Sequence, residues 1–153
     1  AMETGWQLEP ARAQFRPDSI ASWQPFRETN AAMDRLKERY EIGIVSNIDD
    51  DYLEPMIARS ELAASLDAWT SSEAAGSCKP HRAIFEVALA KAGVEAEACC
   101  FVGDSEEHDI AGARALGMQT VLIQEGDLEA PGSGIRAEAH HRIASLSELL
   151  TLV

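Results

Sequence analysis

The fold and chemistry of this chain are indicated most clearly by residues 101–113, FVGDSEEHDIAGA. An apolar run that begins at Cys99 ends on a glycine and a carboxylate, Asp104. A second carboxylate, Asp109, follows at the start of an amphipathic segment. A buried strand that ends in an acidic loop is typical of an open α/β sheet, where ligands bind beyond the carboxyl ends of the strands. Clustered carboxylates at that edge favour a hard cation such as Mg²⁺.

The segments on either side alternate between helical and strand patterns. Apolar side chains recur at helical spacing between Glu28 and Tyr40, and the run from Ile42 to Val45 predicts a buried strand. This alternation predicts an α/β fold, a Rossmann-like parallel sheet with helices on both faces. We expect further helices over residues 51–59, 80–92, 108–116 and 146–150, and further strands over residues 67–70, 99–102 and 120–123.

Proline and glycine mark several boundaries of these elements. Pro80 suits the first position of a helix, and Gly93 and Gly117 suit helix ends. Residues 125–141 contain Pro131 and two glycines close behind it, so they are expected to form a loop.

Length and composition predict a single domain. The 153 residues are 46% apolar and 25% charged, which is typical of a globular protein with one core. We divide the chain into an irregular lead-in over residues 1–26, a core over residues 27–125, and a loop with a closing helix over residues 126–153.

Charge restricts the class of partner. The formal net charge of -13 argues against nucleic acid or an anionic membrane, because both need a basic face. No apolar run approaches the roughly 20 residues of a membrane-spanning helix, and the amino terminus lacks the pattern of a signal peptide. We therefore expect a cytoplasmic protein that binds a small anionic substrate through a metal, a lysine or backbone amides.

Five polar side chains would meet at the carboxyl edge of the predicted sheet: Ser46, Asn47, Lys79, Asp104 and Asp109. A phosphoryl or similar anion needs hydrogen-bond donors, a nearby positive charge and a cation held by carboxylates. We predict Ser46 and Lys79 as catalytic residues, Asn47 as a substrate-binding residue, and Asp104 and Asp109 as metal ligands. Asp109 has an alternative role as a helix N-cap without a ligand.

Three segments around these residues resemble the haloacid dehalogenase superfamily. They are IGIVSN (42–47), SSEAAGSCKPHRAIFEVALAKAG (71–93) and GDSEEHDIAGARALGM (103–118), and the resemblance covers residues 26–125. It implies an Mg²⁺-dependent phosphatase acting on a small phosphate ester through an aspartyl-phosphate, with a 2-haloacid dehalogenase-like hydrolase as the alternative. Residues 19–40 are similar to the segment by which related branches return from a cap domain to the core, so the lead-in is a candidate cap or linker remnant.

One part of the family pattern is absent from this sequence. The family's first motif, a strand followed by DxD, supplies the nucleophile, and nothing in residues 1–41 matches it. The triplet Asp49-Asp50-Asp51 follows a strand, but it is more simply explained by its place at the start of the next helix. We therefore expect the carboxyl-terminal part of a larger enzyme, weakly active or inactive as this chain.

The absent strand also has a structural consequence. In the family it lies between the strands that correspond to residues 42–46 and 98–102, and unpaired buried amides are costly. Either these two strands pair directly, or another chain or a second copy donates a strand, or the lead-in fills the gap. We expect direct pairing or donation, and hence a strand-exchanged homodimer or a complementing chain.

Two functions from other classes compete with the hydrolase interpretation. A non-catalytic α/β module would bind a cation or a partner chain through its acidic edge. A phospho-acceptor receiver domain shares the alternating pattern, but it needs an acceptor aspartate at the end of a central strand and acids near the amino terminus, which this sequence lacks.

Overall fold

The computed structural model describes residues 25, 28–60, 62–124 and 138–152. Its helices are α1 (Thr29–Lys37), α2 (Asp50–Arg59), α3 (Ser72–Ala75), α4 (Arg82–Ala92), α5 (Ala111–Arg114) and α6 (Leu146–Leu149). Its strands are β1 (Gly43–Ser46), β2 (Ala68–Ser71), β3 (Cys100–Gly103), β4 (Gln119–Ile123) and β5 (His141–Ile143). Two 3₁₀ turns, Leu62–Ala64 and Ala96–Ala98, and a π-helical turn, Glu106–Ile110, complete the described elements. Almost all of the predicted lead-in lies outside the described residues.

The strands form two parallel sheets. β1 pairs with β2, with Ser46 opposite Ser71 at the carboxyl end. The second sheet has the order β3-β4-β5, and both of its pairings are also parallel. The predicted α/β class with a parallel sheet and covering helices is therefore confirmed.

A break separates the two sheets. Within the part of the chain that the structure describes, β1 and β3 share no hydrogen-bonded ladder, so each is an edge strand on the side that faces away from its partner. Direct pairing of β1 with β3, one of the two arrangements expected from the sequence, is therefore wrong. Donation of a strand stays a prediction, and filling by the lead-in concerns residues outside the described ranges.

The two sheets nevertheless share one hydrophobic cluster. Ile84 and Phe85 of α4 are fully buried, and Val45 of β1 and Phe101 of β3 both pack against the cluster that they form. The Phe85 and Phe101 rings meet edge to face, with centroids 5.2 Å apart. Helix α4 thus packs against both sheets and keeps their carboxyl ends on one side of the molecule.

The opposite face of the larger sheet is covered by α1 and α6. Val102, the neighbour of Phe101, packs with Leu36, Val121 and Leu149 instead. Successive strand residues point to opposite faces, so β3 contributes to both layers. Partial burial of Phe101 on one face and Val102 on the other accounts for the apolar run in the sequence of this strand.

Most predicted boundaries agree with the structure to within about two residues, as is usual for such assignments. Gly93 and Gly117 end their helical segments with φ of 71° and 91°, a left-handed conformation that glycine adopts without steric cost. The prediction for Pro80 is wrong, because α4 begins at Arg82. Pro80 instead lies in a turn in which the Cys78 carbonyl accepts a hydrogen bond from the His81 amide at 2.9 Å.

A fifth strand was not predicted. β5 includes His141, which the sequence pattern assigned to a loop. The strand has three residues and two of them are exposed, so it carries almost no periodic signal. Contacts between His140 and Thr120 fix its start, since His140 Nδ1 lies 3.0 Å from the Thr120 amide nitrogen.

Candidate functional site

The site lies where the segments after β1 and β3 meet the segment that precedes α4. Parallel strands end at the same edge, so the polar residues after each strand are brought together. The turn before α4 carries Lys79 to this edge. The structure therefore brings together residues from three parts of the chain that the sequence pattern had grouped.

A buried ion pair forms the centre of the site. Lys79 Nζ lies 2.6 Å from Asp109 Oδ1, and the two side chains are only 13% and 5% exposed. Lys79 Nζ also lies 5.6 Å from the centroid of the Phe101 ring, a distance at which a cation is attracted to an aromatic face. The lysine is thus held at the boundary between the apolar core and the open edge of the sheet.

Asp109 has a second hydrogen bond and a tightly packed neighbour. Its Oδ2 accepts a hydrogen bond from the Ser105 amide at 3.0 Å. A Cβ atom at Gly103 would lie 2.4 Å from the Asp109 Cβ, so only glycine permits this approach. The N-cap of the π-helical turn is Ser105, whose hydroxyl accepts from the His108 amide, so the N-cap alternative for Asp109 is wrong.

Asn47 makes a pair of hydrogen bonds that the sequence did not indicate. Its Oδ1 accepts from the Lys79 amide at 2.7 Å, and its Nδ2 donates to the Lys79 carbonyl at 3.0 Å. The substrate-binding role predicted for Asn47 is untested, and in this structure both polar atoms of its side chain contact Lys79.

Ser46 and Asp104 are the side chains left available at the edge. Ser46 is the half-buried last residue of β1, and Asp104 is exposed directly after β3. Among the described residues, neither side chain has a hydrogen-bond or ion-pair partner. A hydroxyl donor and a carboxylate therefore remain free for a ligand beside the Lys79–Asp109 pair.

The donor set fits a magnesium ion only in part. No group of three or more His, Cys, Asp or Glu side chains that could hold a metal occurs within the described ranges. Mg²⁺ usually keeps several waters and binds through one or two carboxylates plus substrate phosphate. Asp104 fits one such position, whereas both Asp109 oxygens already accept hydrogen bonds from Lys79 and Ser105.

The acidic triplet after β1 lies at the start of α2. Asp50 and Asp51 belong to its first turn, where carboxylates interact favourably with the helix dipole. The Asp49 side chain makes no capping hydrogen bond. Glu73 takes that role from α3, because its Oε2 accepts the Asp50 amide at 2.9 Å.

Arg142 is a neighbour of the site that the sequence analysis missed. Its guanidinium contacts Glu106 Oε1 at 2.6 Å and Gln124 Oε1 at 3.3 Å. Glu106 begins the π-helical turn that carries Asp109, so this contact ties β5 to the acidic loop. No signal could have found it, because β5 itself was not recognised.

Comparison with known proteins identifies the family of this chain. The sequence profile of the haloacid dehalogenase-like hydrolases matches residues 10–123. A Bos taurus protein named haloacid dehalogenase-like hydrolase domain-containing protein 3 is 34% identical over 146 residues, covering 94% of this chain and 58% of the bovine one. A ribulose-1,5-bisphosphate 5-phosphatase of Halopiger xanaduensis is 32% identical, covering 87% of this chain and 61% of the phosphatase. The chain belongs to the haloacid dehalogenase-like hydrolase family.

The solved structures give the same fold. A crystal structure of a dehalogenase superposes with a TM-score of 0.75 at 29% identity, covering 84% of this chain and 56% of the dehalogenase. The chain therefore spans a little over half the length of these relatives. None of the helices in the described ranges is long and apolar enough to cross a membrane.

Proposed function

We propose that this chain is the supporting part of a hydrolase site for small phosphate esters. Ser46 and Lys79 would bind the oxygens of the transferred group, and Asp104 would hold Mg²⁺. The observation that carries the proposal is the buried Lys79–Asp109 pair beside the available Ser46 and Asp104 side chains. Burying a charge is costly even when it is paired. A functional role would explain why the Lys79 ammonium is held in a largely buried position.

Each side chain has a distinct task in this proposal. Lys79 places a positive charge where negative charge develops on the equatorial phosphoryl oxygens, and Ser46 donates a hydrogen bond to one of them. Asp109 keeps Lys79 in place, and the apolar wall formed by Phe101 limits solvent around the lysine. A bound Mg²⁺ would polarise the phosphoryl group as a Lewis acid.

The motif that supplies the nucleophile in the family was not recognised in this sequence. We propose that the nucleophile is a carboxylate on an extended strand that pairs with β1 on one side and β3 on the other. Both strands have an edge without a ladder in the described part of the chain, and both have their faces covered by helices. The strand would come from the remainder of a longer polypeptide, from a second copy, or from a complementing chain.

Thermal unfolding with added ligands tests the binding half of the proposal. Inorganic phosphate with MgCl₂ should raise the melting temperature of the chain, and Lys79→Met should abolish the increase. Lys91→Met is the control, because Lys91 is an exposed lysine that donates to the Trp69 carbonyl at 2.6 Å, outside the site. A phosphate effect that Lys79→Met leaves unchanged would contradict the proposal.

Hydrolysis of p-nitrophenyl phosphate, with and without Mg²⁺, tests the catalytic half. We expect this chain alone to turn over slowly or not at all, and a form that includes the nucleophile strand to turn over in a manner that depends on Asp104. Robust turnover by this chain alone, abolished by Asp104→Asn, would show that the nucleophile is present after all. Sizing chromatography would distinguish a strand-exchanged dimer from a monomer.

A 2-haloacid dehalogenase is the second candidate, favoured by one specific observation. Both Asp109 oxygens accept hydrogen bonds, so Asp104 is the carboxylate in the described segment after β3 that is left to hold a metal, and a metal-independent reaction would need neither carboxylate as a ligand. Halide release from a 2-chloro acid without Mg²⁺ is its test. If the chain neither binds phosphate nor releases halide, the non-catalytic module becomes the better account. In each case we propose a cytoplasmic location, which is the location expected from the sequence.

A further inference from the structure

We propose that Asn47 is a positioning residue that fixes the backbone of Lys79 and does not bind the substrate with its side chain. This inference deepens the proposed function, on which its catalytic meaning rests. The structural claim is independent, because it concerns contacts within the chain alone. Its test can therefore succeed or fail separately from any assay of phosphate binding or turnover.

The two hydrogen bonds are complementary in direction. The Lys79 amide donates to Oδ1 at 2.7 Å and the Lys79 carbonyl accepts from Nδ2 at 3.0 Å, so the Asn47 amide pairs with one residue as a neighbouring peptide group would. An amide side chain offers an acceptor and a donor side by side on one planar group. A carboxylate at this position would keep the acceptor and face the Lys79 carbonyl with a second oxygen.

The position of Lys79 gives this pairing its significance. The backbone of Lys79 is held by Asn47, which follows β1, while its side chain is held by Asp109, which follows β3. No ladder joins these two sheets within the described residues, so Lys79 is a polar link between them at the functional edge. Loss of the Asn47 contacts would leave the lysine tethered by its side chain only.

These contacts determine which part of Lys79 can move when an anion binds. An anion that attracts Lys79 Nζ competes with Asp109 for the ammonium group, while the Asn47 bonds keep the Lys79 backbone in place. The ammonium then moves over the few ångströms that its side-chain torsions allow. A side chain held in this way returns to one position, which is what stabilisation of developing charge requires.

The amide-exchange rate of Lys79, measured by NMR, tests the pairing directly. We expect Asn47→Ala to accelerate exchange of the Lys79 amide by about tenfold, because its hydrogen-bond acceptor is removed. Asn47→Asp keeps the acceptor but faces the Lys79 carbonyl with a second oxygen, so its exchange rate should lie between those of the original chain and Asn47→Ala. The matched control is Ser72→Ala, which removes the Ser72 hydroxyl bond to the Ile48 carbonyl at 3.1 Å in the same region without touching Lys79.

Reductive methylation of the lysines gives a second readout on the side chain. The sequence contains three lysines, Lys37, Lys79 and Lys91, so Lys79 can be compared with two internal standards by mass spectrometry. In Asn47→Ala the rate at Lys79 should rise about fivefold while the other two rates stay constant, provided that the melting temperature shows a folded chain. If Lys79 exchanges and reacts as in the original chain, or if Ser72→Ala has the same effect, the positioning role is wrong. If the Asn47 effects appear while phosphate has no Lys79-dependent effect, the hydrolase proposal fails and the positioning role stands.

Discussion

Replacing Asp109 with asparagine is expected to lower the free energy of unfolding by about 3 kcal/mol. The substitution keeps the size of the side chain and removes its charge. Lys79 then stays largely buried, with a side chain that is 13% exposed, and has no counter-charge within contact. The new amide would also bring an N–H group either to the Lys79 ammonium or to the Ser105 amide, both of which are donors.

The size of the effect follows from distance and burial. At the 2.6 Å that separates Lys79 Nζ from Asp109 Oδ1, Coulomb's law with an effective dielectric constant of about 20 gives roughly 6 kcal/mol of attraction. Desolvation of the two partly buried ions offsets much of this attraction, and removing one partner of a buried pair costs about 3 to 5 kcal/mol in other proteins. A net coupling of about 3 kcal/mol remains, which is a large share of the stability of a small domain.

A double-mutant cycle in urea measures this coupling. The variants are Asp109→Asn, Lys79→Met and both together, and the double variant should lose less than the two single losses combined. The exposed pair Arg82–Glu86 is the matched control, because its N–O distance is also 2.6 Å but its side chains are 72% and 50% exposed. An exposed pair contributes at most about 1 kcal/mol. If the two pairs show equal coupling, burial does not strengthen the Lys79–Asp109 interaction and the reasoning fails.

The remaining predictions concern two glycines and one acid. Gly112→Ala should cost about 2 kcal/mol in urea unfolding, because its Cβ would lie 2.4 Å from Phe85 Cε2; a loss near zero would mean that Phe85 moves aside freely. Gly103→Ala should cost a similar amount and also raise the methylation rate of Lys79, because its Cβ would displace Asp109. Gly43→Ala is the control for both, since its Cβ would meet the Ala68 carbonyl oxygen at an ordinary 3.5 Å. A hydrogen bond from Lys37, with one from the Ile42 amide, lowers the pKa of Asp67 below its usual 3.8. The Asp67 carboxylate therefore stabilises the fold at pH values above 3.8, and this stabilisation is lost as the pH falls through the folded-state pKa. Asp67→Asn should therefore destabilise the chain at about pH 7 and have little effect at about pH 2 in urea unfolding, and an equal effect at both would contradict the assignment.

The sequence predicted those features of the fold that have a local cause. The apolar run of β3 and the helical spacing in α1 each arise from burial of a face, so their positions could be read within about three residues. The glycines that end helical segments are equally local, since a left-handed residue is required at that point. β5 has no such signal, because its three residues are held by pairing with β4 and its start is fixed by the contact of His140 with Thr120 of β4.

The same distinction applies to the site. Ser46, Lys79, Asp104 and Asp109 were predicted as site residues from the strand ends that they follow or approach. The structure brings Lys79 and Asp109 together. Their assignment to separate tasks was less predictable. The pairing of Asn47 with Lys79 depends on two residues that are 32 positions apart and on the exact course of an irregular turn. No periodic pattern records a contact of that kind.

The bond between Glu73 and the Asp50 amide has a consequence for the order of folding. The amides of Tyr52 and Leu53 bond to the nearby Asp49 carbonyl, whereas the Asp50 amide receives its acceptor from a residue 23 positions further along the chain. The acceptor arrives only after β2 has aligned beside β1 and α3 has formed behind it. Full stabilisation of this turn therefore needs a non-local contact, and the Asp50 amide should become protected from exchange together with the β1–β2 ladder.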